Sequence, residues 1–460
     1  MTRRSSNPRI LLVNPWIHDF SAFDFWQKPL GLLYIGAILK RMGCETLLLD
    51  CLDRYNPFWA PQSGSAEAGE KIEGAGKYFR QEVEKPAPLH GIPRRFCRYG
   101  APRERVEAWL EKEAPPDYIL MTSFMTYWYP GLVEMAELLR VRYPHAPLIL
   151  GGIYATLCPD HARRTVRPDH LITGEGEARV VRLITELSGV PGADSLGLDI
   201  ERLPYPWYEG YPHLTSIAML TSRGCPYHCS YCASGLLAAS YRRRSPEAVA
   251  REIIHWRDTR GVSTIAFYDD ALLHEPELHA KPLFRRLAGL KPAIALHTPN
   301  GVQPRCIDEE MAGLMHAAGV KSLRLSYESS SFLRRQGKVT ARELSSALKN
   351  LFAAGFQSGQ IGVYILAGLP GQEMKEVRDT ARQVHVLGAR VNLASYSPIP
   401  GTREYRRALE SGLWDKHQDL LLGNNSLYPF WRRKYAPEEL EGLTLWVKEL
   451  NQSLLPNHEE

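Results

Sequence analysis

Three of the eight cysteines, Cys225, Cys229 and Cys232, fall together in the run TSRGCPYHCSYCASG, whereas Cys44, Cys51, Cys97, Cys158 and Cys306 are scattered. Eight cysteines in 460 residues are too few for a disulfide scaffold, so a tight group of three points to metal binding or to chemistry. Thiolates hold iron–sulfur clusters, and a four-iron cubane normally takes four of them. A CxxxCxxC spacing with only three leaves one iron open. An open iron can chelate an external ligand, which turns the reading from electron storage toward catalysis. Zinc is the alternative: a closed zinc site wants four Cys or His ligands, and His228 between the cysteines is a cramped fourth.

The elements that must position this triplet are legible around it. It directly follows SIAMLTS, the first of six strand-like runs that continue with TIAFYDD, AIALHT, SLRLSYE, QIGVYILAG and VNLASYSP. Helical patterns separate them at 246–257, 277–287, 308–318, 341–354 and 372–387. Six βα units predict a full or partial TIM-like barrel over residues 201–402, with its functional residues at the carboxyl ends of the strands. Asp269 and Glu328 stand at such ends, where acidic acceptors suit an ammonium or sugar hydroxyls. The glycines of GLPG let the backbone approach a ligand closely.

Ahead of the barrel the chain alternates again. RILLVNP, ETLLLD, DYILMTS, PLILGG and DHLIT read as strands, and PLGLLYIGAILKRMG, PGLVEMAELLRVRYP and GEGEARVVRLITEL as helices. This pattern predicts an open parallel α/β sheet of Rossmann or flavodoxin-like type over residues 1–200. Ligands sit beyond the carboxyl ends of such strands, where the sequence carries Thr122 and Ser123, Gly151 and Gly152, and Gly174 and Glu175. GEGEAR lacks the third glycine of a dinucleotide turn and follows the last strand instead of the first. Residues 52–100 form a Pro/Gly-rich insert without clear periodicity, and residues 403–460 read as a mainly helical tail. His18, in the loop after the first strand, and Arg242 to Arg244 read as solvated.

Composition narrows the function classes. With 44% hydrophobic and 23% charged residues, disordered, collagen-like and coiled-coil chains are excluded. A net charge of +5 over the whole chain is too dilute for a nucleic-acid footprint. No apolar run reaches the ~18 to 20 residues of a membrane span, and the polar N-terminus has no signal core, so a cytoplasmic protein is expected.

The sequence resembles the radical SAM superfamily. Its CxxxCxΦC motif is matched by Cys225, Cys229 and Cys232, with aromatic Tyr231 before the last cysteine. FYDD at 267–270, LRLSYESSS with Glu328, VYILAGLPGQ with Gly368, Leu369 and Pro370, and YSPIPGT at 396–402 follow in order. The resemblance implies a partial barrel of six βα units holding a 4Fe–4S cluster on the three cysteines. The open iron would bind the amino and carboxylate groups of S-adenosylmethionine (SAM), which one electron cleaves to a 5′-deoxyadenosyl radical. It further implies SAM contacts at Tyr231, Asp269, Glu328, Gly368, Leu369 and Pro370. FYDD stands where the family usually carries GGE, so the amino-group contact falls to Asp269 or Asp270.

The first domain is similar to the cobalamin-binding domains that precede one branch of that superfamily, on NPW, PLGLLYIGAILKRMG, LILGGIYATL and ITGEGE. In that branch the corrin lies across the carboxyl ends of the sheet, which assigns Thr122, Ser123, Gly151, Gly152, Gly174 and Glu175 to cobalamin. The DxHxxG motif of histidine-ligated cobalamin enzymes is absent, as it is in many members of the branch. The expected function is cobalamin-dependent methyl transfer from SAM to an unactivated carbon of a small-molecule or peptide substrate. Electrons would come from a donor such as a flavodoxin or ferredoxin. The runner-up is a radical SAM enzyme, with or without cobalamin, that cyclises, rearranges or oxidises its substrate. A non-catalytic sensor is the third reading, and the last 60 residues offer no basic helix-turn-helix for it.

Overall fold

The structure, a computed structural model, describes residues 7–59, 70–72, 74–192, 199–330 and 339–454. It separates into two compact units, with the main division between Thr215 and Ser216.

The first unit is built on five parallel strands, β1 (Arg9–Asn14), β2 (Glu45–Asp50), β3 (Tyr118–Met121), β4 (Leu148–Leu150) and β5 (His170–Leu171). They lie in the spatial order β2-β1-β3-β4-β5, the flavodoxin-like arrangement. The unit's longer helices are α1 (Leu30–Arg41), α2 (Arg103–Lys112), α3 (Tyr129–Arg142) and α4 (Glu177–Ser188). Apolar residues at helical spacing on α1 and α4, among them Leu32, Leu39, Val180 and Ile184, bury one face of the sheet against Ile10, Leu12, Leu120 and Ile149.

Two readings of this unit are corrected. The insert at 52–100 is not simply irregular: Cys97–Tyr99 pairs antiparallel with Ile17–Asp19 and with Arg80–Glu82, and Ala75–Lys77 pairs with Phe23–Phe25 and Glu70–Ile72. Strands of three residues are too short for alternation to be read from sequence. His18 sits on one of them, buried, with its Nε2 2.8 Å from Glu134, so it is a partnered interior residue and not a solvated loop histidine.

The second unit contains six parallel strands that neighbour one another in chain order: β6 (Ser216–Met219), β7 (Thr264–Phe267), β8 (Ala295–Val302), β9 (Val320–Glu328), β10 (Ile361–Ala367) and β11 (Arg390–Ser395). With β6 and β11 as its edges, this is a partial barrel. The intervening helices are α5 (Pro246–Arg260), α6 (Ala280–Ala288), α7 (Glu309–Ala317), α8 (Ala341–Ala353) and α9 (Met374–Val386), followed by α10 (Arg403–Glu410) and α11 (Pro437–Gln452). Several open on the side-chain caps that the sequence supplies: Ser245, Asp308, Thr340 and Thr402 accept from the backbone N–H of Ala248, Met311, Glu343 and Tyr405. The solvated reading of Arg242 to Arg244 is also corrected. Arg242 and Arg243 form a short strand against Ser222 and Arg223, and Arg244 is buried 2.5 Å from the equally buried Glu252.

Two histidines lie inside this unit. His279 Nε2 meets Thr221 Oγ1 at 2.8 Å, and His297 Nδ1 meets Ser322 Oγ at 2.7 Å. Burial pulls the pKa of each down to about 4. Between pH 6.5 and 4 the unfolded chain therefore binds protons that the folded chain refuses, so stability is present above the unfolded pKa and is lost as pH falls through the folded one. Urea unfolding at stepped pH is expected to show this loss, on the order of 3 kcal/mol or less per histidine. His297→Gln should flatten the slope in that window, and a slope unchanged in the variant would contradict the assignment.

Candidate functional site

The cysteine loop leaves β6 and is pinned at both of its feet. At the outgoing foot, Asp269 at the end of β7 accepts from Thr221 N (3.0 Å), Thr221 Oγ1 (2.7 Å), Ser222 N (2.6 Å) and Ser222 Oγ (2.6 Å). The carboxyl is fully interior. Burial raises its pKa, and the Ser222 and Thr221 donors work against that rise. At the returning foot, Arg244 N donates to Thr221 O at 2.9 Å, and the Arg244–Glu252 pair anchors the strand to α5. The crown of the loop is held from far along the chain. Glu404 N, in the first turn of α10, donates to Ser230 O at 3.0 Å, and the Arg403 guanidinium donates to His228 O.

This scaffold puts Cys225, Cys229 and Cys232 on one wall of a cavity of about 290 Å³. Tyr227, Tyr231, Ser234 and Asp270 complete that side, and Pro299, Asn300, Gly301, Gln303, Ser326, Glu328 and Tyr364 supply the remainder from β8, β9 and β10. Burial pushes the Cys225 thiol up to about 11 and raises Cys232 as well, so loading a metal group here must displace protons from sulfur. Cys232 Sγ also lies 3.2 Å from Ser234 Oγ. Among the described residues, no three His, Cys, Asp or Glu side chains gather tightly enough to chelate a single ion. The three thiols instead border a roomy cavity, which suits a cluster carrying one thiolate per iron better than a lone zinc.

Glu328 ends β9 at a left-handed φ of +59°, a conformation rare outside glycine. Tyr231 hydrogen-bonds it, and the Tyr231 hydroxyl is pushed well up in pKa by burial and then by the Glu328 charge. Gly301 is required by closeness: a Cβ there would stand 2.3 Å from Ser326 Oγ. Tyr364 donates to Pro299 O at 2.8 Å, and Asn300 Nδ2 donates to Tyr268 O at 2.8 Å, so the far wall is tied strand to strand.

The other sequence-derived positions divide. Asp270 lines the cavity, whereas Asp269 is consumed in holding Thr221 and Ser222. Gly368, Leu369 and Pro370 do not line it. Gln372 Oε1 accepts from Gly368 N and Leu369 N at 3.0 and 3.1 Å, and Leu369 packs into a cluster with Tyr396, Trp414 and Phe430, against which Tyr231 also rests. Asn300, Gly301, Gln303, Ser326, Tyr364 and Tyr227 were not singled out from sequence. The Pro299-Asn300-Gly301 run reads as a turn, yet it lies within β8 at a register shift against β9.

In the first unit a second cavity, of about 110 Å³, opens at the carboxyl ends of β3, β4 and β5. Thr122, Gly151, Gly152 and Gly174 line it with Gly31 and Gly176, over an apolar floor that includes Leu32, Ile35, Ile149 and Val180. Ser123 and Glu175 are not in its lining. Ser123 acts behind it: its Oγ donates to Gly151 O at 2.6 Å and accepts from Ala155 N at 3.2 Å. Gly152, at φ +95°, presses so closely on Ser123 that a Cβ would stand 2.4 Å from its carbonyl oxygen. Glycines thus leave the ends of β4 and β5 bare of side chains above that apolar floor.

Residues 219–384 match the radical SAM superfamily. The chain is 22% identical to cytidylyl-2-hydroxyethylphosphonate methyltransferase of Streptomyces wedmorensis, over 90% of this chain and 84% of the relative. Among solved structures it is similar to the radical S-adenosylmethionine methyltransferase TsrM of Kitasatospora setae, with tryptophan substrate and a SAM analog bound. There the TM-score is 0.65 at 16% identity, covering 98% of this chain and 89% of that one. TsrM has also been solved with cobalamin and a [4Fe-4S] cluster bound. The cobalamin-dependent S-adenosylmethionine radical enzyme OxsB matches with a TM-score of 0.63 at 14% identity, over 97% of this chain and 71% of that one. At these identities the structural likeness establishes the fold alone.

Asp269→Asn is expected to turn an acceptor partly into a donor facing N–H groups, costing about 2 kcal/mol in urea unfolding. It should also lower iron per chain severalfold after anaerobic reconstitution. Asp270→Asn should leave the unfolding midpoint within error. Equal iron uptake by wild type and Asp269→Asn would show that the loop does not depend on this anchor.

Proposed function

We propose, from the radical SAM domain that the chain carries at residues 219–384, that it is a cobalamin-dependent radical SAM methyltransferase acting on a small molecule. The observation that carries this reading is the convergence of Cys225, Cys229 and Cys232 on one cavity with Asp270, Asn300, Ser326 and Glu328. A methyltransferase relative aligned over 90% of the chain supports methyl transfer over other radical outcomes. When bound, the cluster supplies the electron that cleaves SAM, and the corrin carries the methyl group delivered to the substrate.

The chain's own residues then have definite tasks. Cys225, Cys229 and Cys232 would hold the cluster, and Asp270 and Glu328 offer carboxylates to an ammonium or to ribose hydroxyls in the cavity they both line. Tyr231 holds Glu328 by a hydrogen bond. Gly301 keeps the far wall free of a side chain where a nucleoside would pass. In the first unit, Gly151, Gly152 and Gly174 give a corrin a surface to lie on, and Ser123 holds that surface in shape. Electrons come from a flavodoxin or ferredoxin type of donor. A reducing cytoplasm suits the free thiols, and the dilute net charge of +5 offers nucleic acid no footprint.

The test is anaerobic reconstitution with iron, sulfide and hydroxocobalamin, followed by desalting and metal analysis. About four irons and about one cobalt per chain are expected, with 5′-deoxyadenosine released from SAM under reduction. Alanine at any of the three cysteines should cut both iron and 5′-deoxyadenosine at least tenfold, while cobalt is kept. Glu328→Gln should weaken SAM binding and leave cobalt content unchanged. Iron without cobalt would remove methyl transfer from the proposal, and 5′-deoxyadenosine from the cysteine variants would remove the cluster assignment.

A further inference from the structure

Resting on the reading of the second unit as a radical enzyme with a small-molecule substrate, we propose that Arg324 and Arg390 form an oxyanion-binding subsite on the inner face of the barrel. It would take a carboxylate or phosphoryl group of that substrate.

Register puts the pair together. Arg324 on β9 is the partner of Gly362 on β10, and Gly362 is the partner of Arg390 on β11, so two arginines flank a glycine across three adjacent strands. Side chains alternate along a strand, which places Arg324 on the same face as Ser326, and Gly362 on the same face as Tyr364. Ser326 and Tyr364 both line the cysteine cavity. The arginines therefore sit one pleat below that cavity, roughly 7 Å toward the amino ends of the strands.

Gly362 makes the room. A Cβ there would lie 3.0 Å from Arg324 Cδ, 3.2 Å from its Nε and 2.1 Å from Asn392 Oδ1, so Arg324 lies across the bare backbone of β10 toward β11. Tyr364 orients the guanidinium by a hydrogen bond while donating to Pro299 O, and Arg324 Nη1 spends one donor on Leu323 O at 3.1 Å.

Among the described residues the pair has no carboxylate partner. Desolvation pulls the Arg324 pKa down, Tyr364 works against that, Arg390 lowers it further, and no carboxylate acts on it. Among the described residues neither arginine forms an ion pair, in contrast to Arg54 with Asp24, Arg98 with Glu134 and Arg244 with Glu252. A half-buried guanidinium beside a second one is unfavourable unless an anion joins them. Two guanidiniums on neighbouring strands, each a planar fork of donors, match the geometry of a carboxylate or phosphoryl group.

Arg324→Gln and Arg390→Gln in the full-length chain test this, with inorganic phosphate and acetate titrated separately by calorimetry. Saturable binding of at least one probe to wild type, weakened at least tenfold in both variants, is expected. The probe that binds identifies a phosphoryl or a carboxylate group. Urea unfolding of the variants should be unchanged or shifted to higher urea, since removing one guanidinium relieves repulsion, whereas a merely structural role would shift it lower. Absence of saturable binding to wild type, or binding retained in both variants, overturns the subsite. Iron content of the same samples separates the two readings. Probe binding through the arginines in a chain that takes up no iron keeps the anion site and removes its assignment to a radical enzyme's substrate.

Discussion

The buried carboxylate of Asp269 is the constraint on which the second unit's site rests. A cysteine-bearing loop has no regular hydrogen-bonding pattern of its own, so its sulfurs are only as well placed as its feet. Asp269 joins the ends of two neighbouring strands by taking four N–H and O–H donors from Thr221 and Ser222, three residues ahead of Cys225. Such charge-assisted bonds offset the cost of taking a carboxylate out of water, and they leave it little capacity for anything else. The network continues through Thr221 to His279, which burial keeps neutral.

Much of this was legible beforehand because parallel strands covered on both faces read as continuous apolar runs. All six barrel strands and the five helices between them stand where TIAFYDD, SLRLSYE, QIGVYILAG and their neighbours placed them, and the five strand-like runs ahead of them form the parallel sheet of the first unit. What escaped is what has no period. Asn300 and Gly301 occupy an irregular stretch of β8, the Arg244–Glu252 pair spans a loop and a helix, and the insert's strands are three residues long. An acidic residue at a barrel strand end could serve a ligand or its own scaffold. Composition cannot distinguish these, and the donors around Asp269 show that it serves the scaffold while Asp270 faces the cavity.

The two cavities use opposite chemistry for opposite ligands. In the first unit, glycines at the ends of two strands remove side chains, and the specificity left is shape over an apolar floor. In the second, the wall opposite the thiols is crowded with amide, hydroxyl and carboxylate groups that are tied to one another from strand to strand, as Tyr364 is to Pro299 and Asn300 to Tyr268. A site fixed in this way is set before any ligand arrives, and little reorganisation is needed when charge develops inside it.

The crown of the cysteine loop is held by α10, and His228 lies 175 positions before Arg403, which grips it. At ribosomal speeds of about 5–20 residues per second, that distance is a wait of roughly 10 to 35 s between emergence of the cysteines and arrival of their clamp. Until Arg403 arrives the crown of the loop has no clamp, even after Asp269 has secured its foot. A chain cut before Thr402 would leave the thiols on a loop fastened only at its feet, however well the preceding barrel had folded.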